Sequence, residues 1–314
     1  MVDMIYKANV SRPEKRLHGI ASMERKWGII FATPIMIGFT IFILGPMIAS
    51  LYFSLTNWEI GSPAEFIGLS NYKKMFTEDT AFRKSLVVSL YYAVLGTPVT
   101  VLFGFLAALL MNNKIRFLSL FRTIFYLPSV VPGIAVIIIW MYLYNPEFGI
   151  FNSILDFLGI PGLEWVYSEA TAVPSIVLMV AWQSSGALMI IFLAGLQGTP
   201  AHLYEAIEVD GGKSWHKFWY ITLPSLTPTI FYCLITQLIA TIQVFDVAYA
   251  MTQGGPNNAT RFFVYNIYTT AFSQSKMGYA SALAWILFVI IALLTFVVFK
   301  TSKSWVYYEG GDKH

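Results

Sequence analysis

Tyr204-Glu205-Ala206-Ile207-Glu208-Val209-Asp210-Gly211-Gly212-Lys213-Ser214-Trp215-His216-Lys217-Phe218-Trp219-Tyr220-Ile221-Thr222-Leu223-Pro224 is a charged island between two apolar runs, each long enough to cross a bilayer. What surrounds it sets the fold class. Of the 314 residues, 57% are hydrophobic and 12% charged, and the mean hydropathy is +0.63. A soluble domain carries about 25% charge. A hydrocarbon core of about 30 Å takes roughly 20 apolar residues per helix. Six runs meet that length, at residues 27–52, 85–111, 121–144, 172–196, 225–251 and 279–299. The expectation is an all-α membrane protein with six transmembrane helices.

The charges between the runs set its orientation. Counted on alternate sides, 14 Lys and Arg fall with the two termini, the island and the stretch after the second run (Lys114, Arg116 and Arg122), against 6 on the other side. By the positive-inside rule both termini and the island face the cytoplasm. The chain then divides into a cytoplasmic segment 1–26, a membrane domain 27–300 with a cytoplasmic loop 197–224, and a tail 301–314. The net charge of +3 is spread along the chain, which argues against nucleic acid as a partner. A single cysteine, Cys233, excludes an intrachain disulfide. Four histidines without paired spacing argue against a metal site. No Gly-x-x-x-x-Gly-Lys-Ser/Thr phosphate loop is present, so the chain is not its own ATPase and binds no nucleotide cofactor itself.

Within the loop, Thr199-Pro200 reads as an N-cap followed by a first-turn proline, and Leu203, Ala206 and Ile207 share one face of a short helix. Asp210-Gly211-Gly212 ends that helix. Ser214 then caps a second segment carrying Trp215, Phe218, Trp219 and Ile221, which Leu223-Pro224 stops. A helical hairpin lying at the lipid interface fits the same residues. A DNA-reading helix-turn-helix does not, because the second helix has only Lys213 and Lys217 as cations.

The loop resembles the EAA loop of the permease subunits of binding-protein-dependent ABC importers. Glu205, Ala206, Asp210, Gly211, Phe218, Ile221, Leu223 and Pro224 fall on that pattern, while Ile207 and Gly212 stand where it has small alanines. Phe66-Ile67-Gly68-Leu69-Ser70-Asn71-Tyr72, Gly195-Leu196-Gln197 and Phe245-Asp246-Val247-Ala248-Tyr249, with Met251-Thr252-Gln253-Gly254-Gly255-Pro256, are similar to the carbohydrate branch, the maltose and glycerol-phosphate permeases. The resemblance implies a type I ABC importer permease fold in a bacterial inner membrane. It also implies four kinds of partner: a second homologous permease, two ATPase subunits that hold ATP and Mg, an extracytoplasmic solute-binding protein, and a carbohydrate. Glu205, Ala206, Asp210, Gly211, Gly212, Phe218, Leu223 and Pro224 would then contact or position the ATPase, with Glu205 bonding loop backbone or the ATPase. Ile207 and Gly212 would be matched by a groove shaped for them.

Polar residues at membrane depth are costly against lipid and turn inward. The fourth run carries Gln183 and Ser184 near its middle, and the fifth carries Gln237, Thr241, Gln243 and Asp246. Amides and hydroxyls beside aromatics suit a sugar, and the resemblance puts the sugar site on the middle of these two spans. The same residue types also glue helices together. Asp246 falls close to the Thr252 loop, where a structural pairing near the outer face is expected. An ion-coupled secondary transporter using Asp246 is the alternative from another class.

Overall fold

The computed structural model describes residues 14–113 and 116–307, so Lys7, Arg12, Lys114 and Lys313 of the charge count lie outside the described residues. Helix α1 (Glu14–Phe39) runs through a π turn (Thr40–Leu44) into α2 (Gly45–Ser54). The short α3 (Ser70–Thr77) precedes α4 (Thr80–Met111). Then follow α5 (Leu118–Val130), α6 (Gly133–Leu143), α7 (Ile150–Phe157) and α8 (Glu169–Gly198). The island holds α9 (Ala201–Val209) and α10 (Ser214–Lys217), and α10 continues through a π turn (Phe218–Thr222) into α11 (Leu223–Ile242). Helices α12 (Phe263–Tyr268) and α13 (Met277–Ser302) complete the chain. Among the described residues no strand forms, only an isolated bridge between Thr56 and Phe66.

Five continuous helices are long and apolar enough to span a bilayer, and the pair α5 and α6 makes a sixth if counted as one bent span. That pair turns by 100°. The cause is local: Pro132 has no N–H and forces Val131 into an extended conformation, ψ 136°, so the α5 ladder cannot continue. The polar segment 1–26 expected before the first span is helical from Glu14 onward and joins that span without a break.

Close helix approach is made by small residues. A Cβ on Gly104 of α4 would strike Leu188 of α8, and one on Gly186 of α8 would strike the Phe125 carbonyl and the Tyr126 Cα of α5, the second at 2.6 Å. Gly195 lets Leu226 and Thr229 of α11 approach α8 in the same way. With no hydrophobic drive between helices in lipid, such contacts and polar cross-links supply the cohesion. The cross-links are few and buried: Tyr144 Oη donates to the Ser175 carbonyl at 2.7 Å, Phe263 N–H donates to Ser89 Oγ at 2.7 Å, and the Thr97 and Thr241 hydroxyls meet at 2.9 Å. At one end, buried Asn71 donates to the carbonyls of Ser54 and Thr56, so the 66–72 stretch fastens α3 onto the end of α2. Gly68, at φ 58°, makes the turn before it. Leu69 is the N-cap of α3, and the Ser70 hydroxyl donates back to the Ile67 carbonyl.

The fifth span is not the single 225–251 segment read from hydropathy. Its helix starts at Ser214 and stops at Ile242, the chain breaks at 243–245, and a π turn (Ala248–Thr252) resumes it. Apolar content is continuous across the break, so hydropathy does not register it.

Replacing Gly186 with Leu should separate α5 from α8. The expected outcome is a drop of several degrees in the unfolding midpoint of detergent-purified protein, whereas Gly28→Leu, at a glycine with open space around it, should leave the midpoint within about a degree.

Candidate functional site

Two regions stand out: the island that joins α8 to α11, and a hollow beside the middle of α8 and the far end of α11. The first is the island. Thr199 does not cap α9; the N-cap is Pro200, and the Thr199 hydroxyl points back toward the Gly195 carbonyl. Leu203, Tyr204 and Ile207 face inward and are half-buried, whereas His202, Glu205, Ala206 and Val209 are exposed, with Val209 at 87%. Ala206 therefore belongs to the outer face, not to the inner one with Leu203 and Ile207. The exposed set follows the i, i+3, i+4, i+7 spacing of one helix stripe. Glu205 bonds no loop backbone among the described residues; it stands on that bare stripe.

Asp210 ends α9, and Gly211 follows at φ 76°, where an L side chain is strained. Gly212 is needed for a different reason. A Cβ there would run into Ile207 Cγ2 and lie 2.9 Å from the Ile207 carbonyl. The two departures from the alanine pattern thus compensate each other inside the loop, and no partner groove is required to explain them. Lys213, not Ser214, is the N-cap of α10, and His216 Nδ1 accepts its N–H at 3.1 Å.

Leu223-Pro224 does not stop the second helix. Pro224 sits at the start of α11, and the wider π turn before it lets the helix pass without the missing N–H. From Ser214 to Ile242 the helix is continuous over 29 residues. Three contacts brace it: Lys217 pairs with Glu208 across the turn, the hydroxyls of Tyr204 and Thr222 meet at 3.1 Å, and Phe218 packs 6.4 Å from Phe105 of α4. The ion pair is partly exposed and contributes at most about 1 kcal/mol.

The second region is a cavity of about 560 Å³ walled by α4, α8, α11 and the 243–247 break. Gln183, Ser184, Gln237, Thr241 and Gln243 all line it. Their availability differs. Thr241 is buried, with its hydroxyl committed to Thr97 and to the Leu238 carbonyl, so it holds α11 against α4. Gln243 is exposed, Gln183 and Ser184 are half-exposed, and Gln237 is nearly buried. Sequence reasoning missed Ser129, Tyr92 and Phe245, which also line the cavity. Ser129 Oγ donates to the Gln183 carbonyl at 2.8 Å; the signal for it was the Pro128-Pro132 pair, which marks a broken helix.

Asp246 is in this wall, not paired near the outer face. It restarts the helix after the break, with Oδ1 accepting the Val247 N–H at 3.0 Å. The only ion pair among the described residues is Lys217 with Glu208, and no cluster of three His, Cys, Asp or Glu able to hold a metal occurs among them. Beyond Phe245 an aromatic ladder continues through Tyr249, Tyr268 and Phe272, with ring centroids 5.2–5.4 Å apart at each step.

A family model described as binding-protein-dependent transport system inner membrane component matches residues 100–302. The chain is 39% identical over 290 residues to the probable ABC transporter permease protein YesP of Bacillus subtilis, covering 91% of this chain and 93% of that one. It is 33% identical over 285 residues to the multiple sugar-binding transport system permease protein MsmF of Streptococcus mutans, covering 90% and 97%. Among solved structures, a chain of a bacterial alginate ABC transporter in complex with an alginate pentasaccharide-bound periplasmic protein shares the fold, with TM-score 0.75, 21% identity and coverage of 90% and 96%.

The Ile207–Gly212 fit makes a double-mutant prediction. Gly212→Ala alone should cost about 1–3 kcal/mol of loop packing. In detergent-purified protein this should appear as a drop of a few degrees in the unfolding midpoint, and adding Ile207→Ala should restore most of it; equal losses in the single and double variants would mean that the two residues do not constrain each other.

Proposed function

The chain belongs to the family of binding-protein-dependent transport system inner membrane components, and from that premise we propose that it is the permease subunit through which an ATP-driven importer moves a carbohydrate across a bacterial inner membrane. Both termini and the island face the cytoplasm, as the excess of Lys and Arg on that side supports. A second, homologous permease completes the passage, two ATPase subunits carry ATP and Mg, and an extracytoplasmic binding protein delivers the solute. The chemical work of ATP hydrolysis is done on those partners, and this chain converts it into motion.

One observation carries the reading: α8 and α11, which wall the cavity, are the two helices that α9 and α10 join, and the outer stripe of α9 is bare. Closure of ATPase subunits against Glu205, Ala206 and Val209 moves the feet of both helices together. Asp210 and Gly211 fix the angle of α9, and Phe218, Leu223 and Pro224 carry the displacement into α11. The carbohydrate class is supported by the amides of Gln183, Gln237 and Gln243, the Ser184 hydroxyl and the Phe245 ring, a lining that bonds sugar hydroxyls and stacks on sugar faces. The MsmF relative, named for multiple sugars, points the same way. An ion-coupled mechanism through Asp246 does not fit the family, and no second carboxylate, histidine or basic side chain accompanies Asp246 among the described cavity residues.

Two measurements test this. Proteoliposomes carrying the full complex should accumulate sugar only with ATP and the loaded binding protein, and Gly211→Val, which places a β-branched residue at φ 76°, should lower uptake at least about tenfold while the subunits still assemble. Calorimetry on the partner binding protein should show saccharide binding; a protein that takes amino acids instead would overturn the carbohydrate assignment.

A further inference from the structure

We propose that Asp246 is the fixed anion of the translocation cavity and selects against anionic solutes, so that this chain's side of the passage admits neutral saccharides. Translocation and the saccharide both rest on the function proposed above; the negative field of Asp246 in the cavity does not.

Asp246 is the only charged residue lining the cavity among the described residues, the others being amides, hydroxyls, aromatics and aliphatics. Its position is built. Oδ1 is held by the Val247 N–H at 3.0 Å, and a Cβ placed on Gly133 would sit 3.2 Å from Oδ2. Gly133 opens α6 at the 100° bend, so the carboxylate lies near the first turn of that helix, where a negative charge is favoured. The same missing Cβ lies 3.9 Å from Gln183 Nε2, which brings the charge next to the cavity's amide donors. No cation pairs with it; the ion pair among the described residues is Lys217 with Glu208, on the island.

An unpaired carboxylate on the wall of a cavity acts on whatever enters. At about 6 Å and an effective dielectric of about 20, its repulsion of a unit anion lowers the local concentration roughly a hundredfold, and a cation gains as much. A neutral sugar is indifferent to that field, and its hydroxyls can donate to the carboxylate in a charge-assisted hydrogen bond. Metal coupling would need further ligands beside Asp246, and no group of three His, Cys, Asp or Glu able to hold an ion occurs among the described residues.

The test reads the field directly. In the assembled complex in lipid nanodiscs, Gln183→Cys places a thiol beside Asp246, and methanethiosulfonate reagents of similar size but opposite charge report the local potential, with modification of this chain followed by mass spectrometry. Relative to their rate ratio on a free thiol, the cationic reagent should react at least about tenfold faster than the anionic one. Asp246→Asn and Asp246→Ser should each bring the ratio to within about twofold of the free thiol, and Asp246→Glu should preserve the bias. An unbiased ratio with Asp246 in place, or a bias that survives either neutral variant, overturns the proposal. The first outcome needs no variant at position 246, so misassembly of the substituted chains leaves the test intact. A binding protein that carries amino acids would remove saccharides from the account and leave the reagent ratio unchanged.

Discussion

In hydrocarbon every backbone N–H and C=O must be satisfied within the protein, so a spanning helix may stop at membrane depth only where water or packed protein replaces the lost bonds. Among the described residues, apolar helices are interrupted at Val131-Pro132 between α5 and α6 and at 243–245 after α11. Both border one cavity: Ser129 and the Gly133 turn on one side, Gln243 to Val247 on the other. The cavity and the breaks are thus a single feature. A polar hollow makes the interruptions tolerable, and the interruptions supply the irregular backbone and the short polar side chains that make the hollow polar.

Around that hollow, cohesion depends on contact distance more than on polar bonding. Gly104, Gly186 and Gly195 all lie where α8 meets a neighbour, and each has a neighbouring atom in the place a methyl group would take. Helix α8 is accordingly the central element, packed against α4, α5 and α11 while its cavity side keeps Gln183 and Ser184. The first span contrasts with it. From Trp27 to Ile43 its large apolar residues are exposed in this chain, which leaves that stretch to lipid or to a second subunit.

Length and hydropathy made the spans legible, because the hydrocarbon thickness imposes a minimum run that composition alone reveals. The island was legible for the complementary reason: Glu205 to Lys217 cannot be buried in lipid, and Asp210-Gly211-Gly212 admits few backbone paths. What the sequence concealed were relations between residues distant along the chain. Nothing near Gly186 announces Phe125, and nothing near Asp246 announces Gly133. Pro224 misled for a related reason, since proline removes one N–H but a π turn ahead of it accommodates the loss. The five polar positions assigned to the passage do share the cavity, yet Thr241 shows the limit of residue type as a guide: its hydroxyl is engaged by Thr97, and only the fold reveals that.

The uninterrupted helix from Ser214 to Ile242 also has a mechanical meaning. At about 1.5 Å per residue, its 29 residues form a rod of about 43 Å. A rotation of roughly 5° about one end of such a rod sweeps the other through about 4 Å, comparable to the width of a sugar ring's edge. With the π turn inside the rod and no loop between its foot and the cavity, any displacement of one end would reach the other with little slack. The gearing is set by helix length, so an insertion or deletion anywhere along it changes amplitude and, at 100° per residue, the direction in which Gln237 and Thr241 are presented.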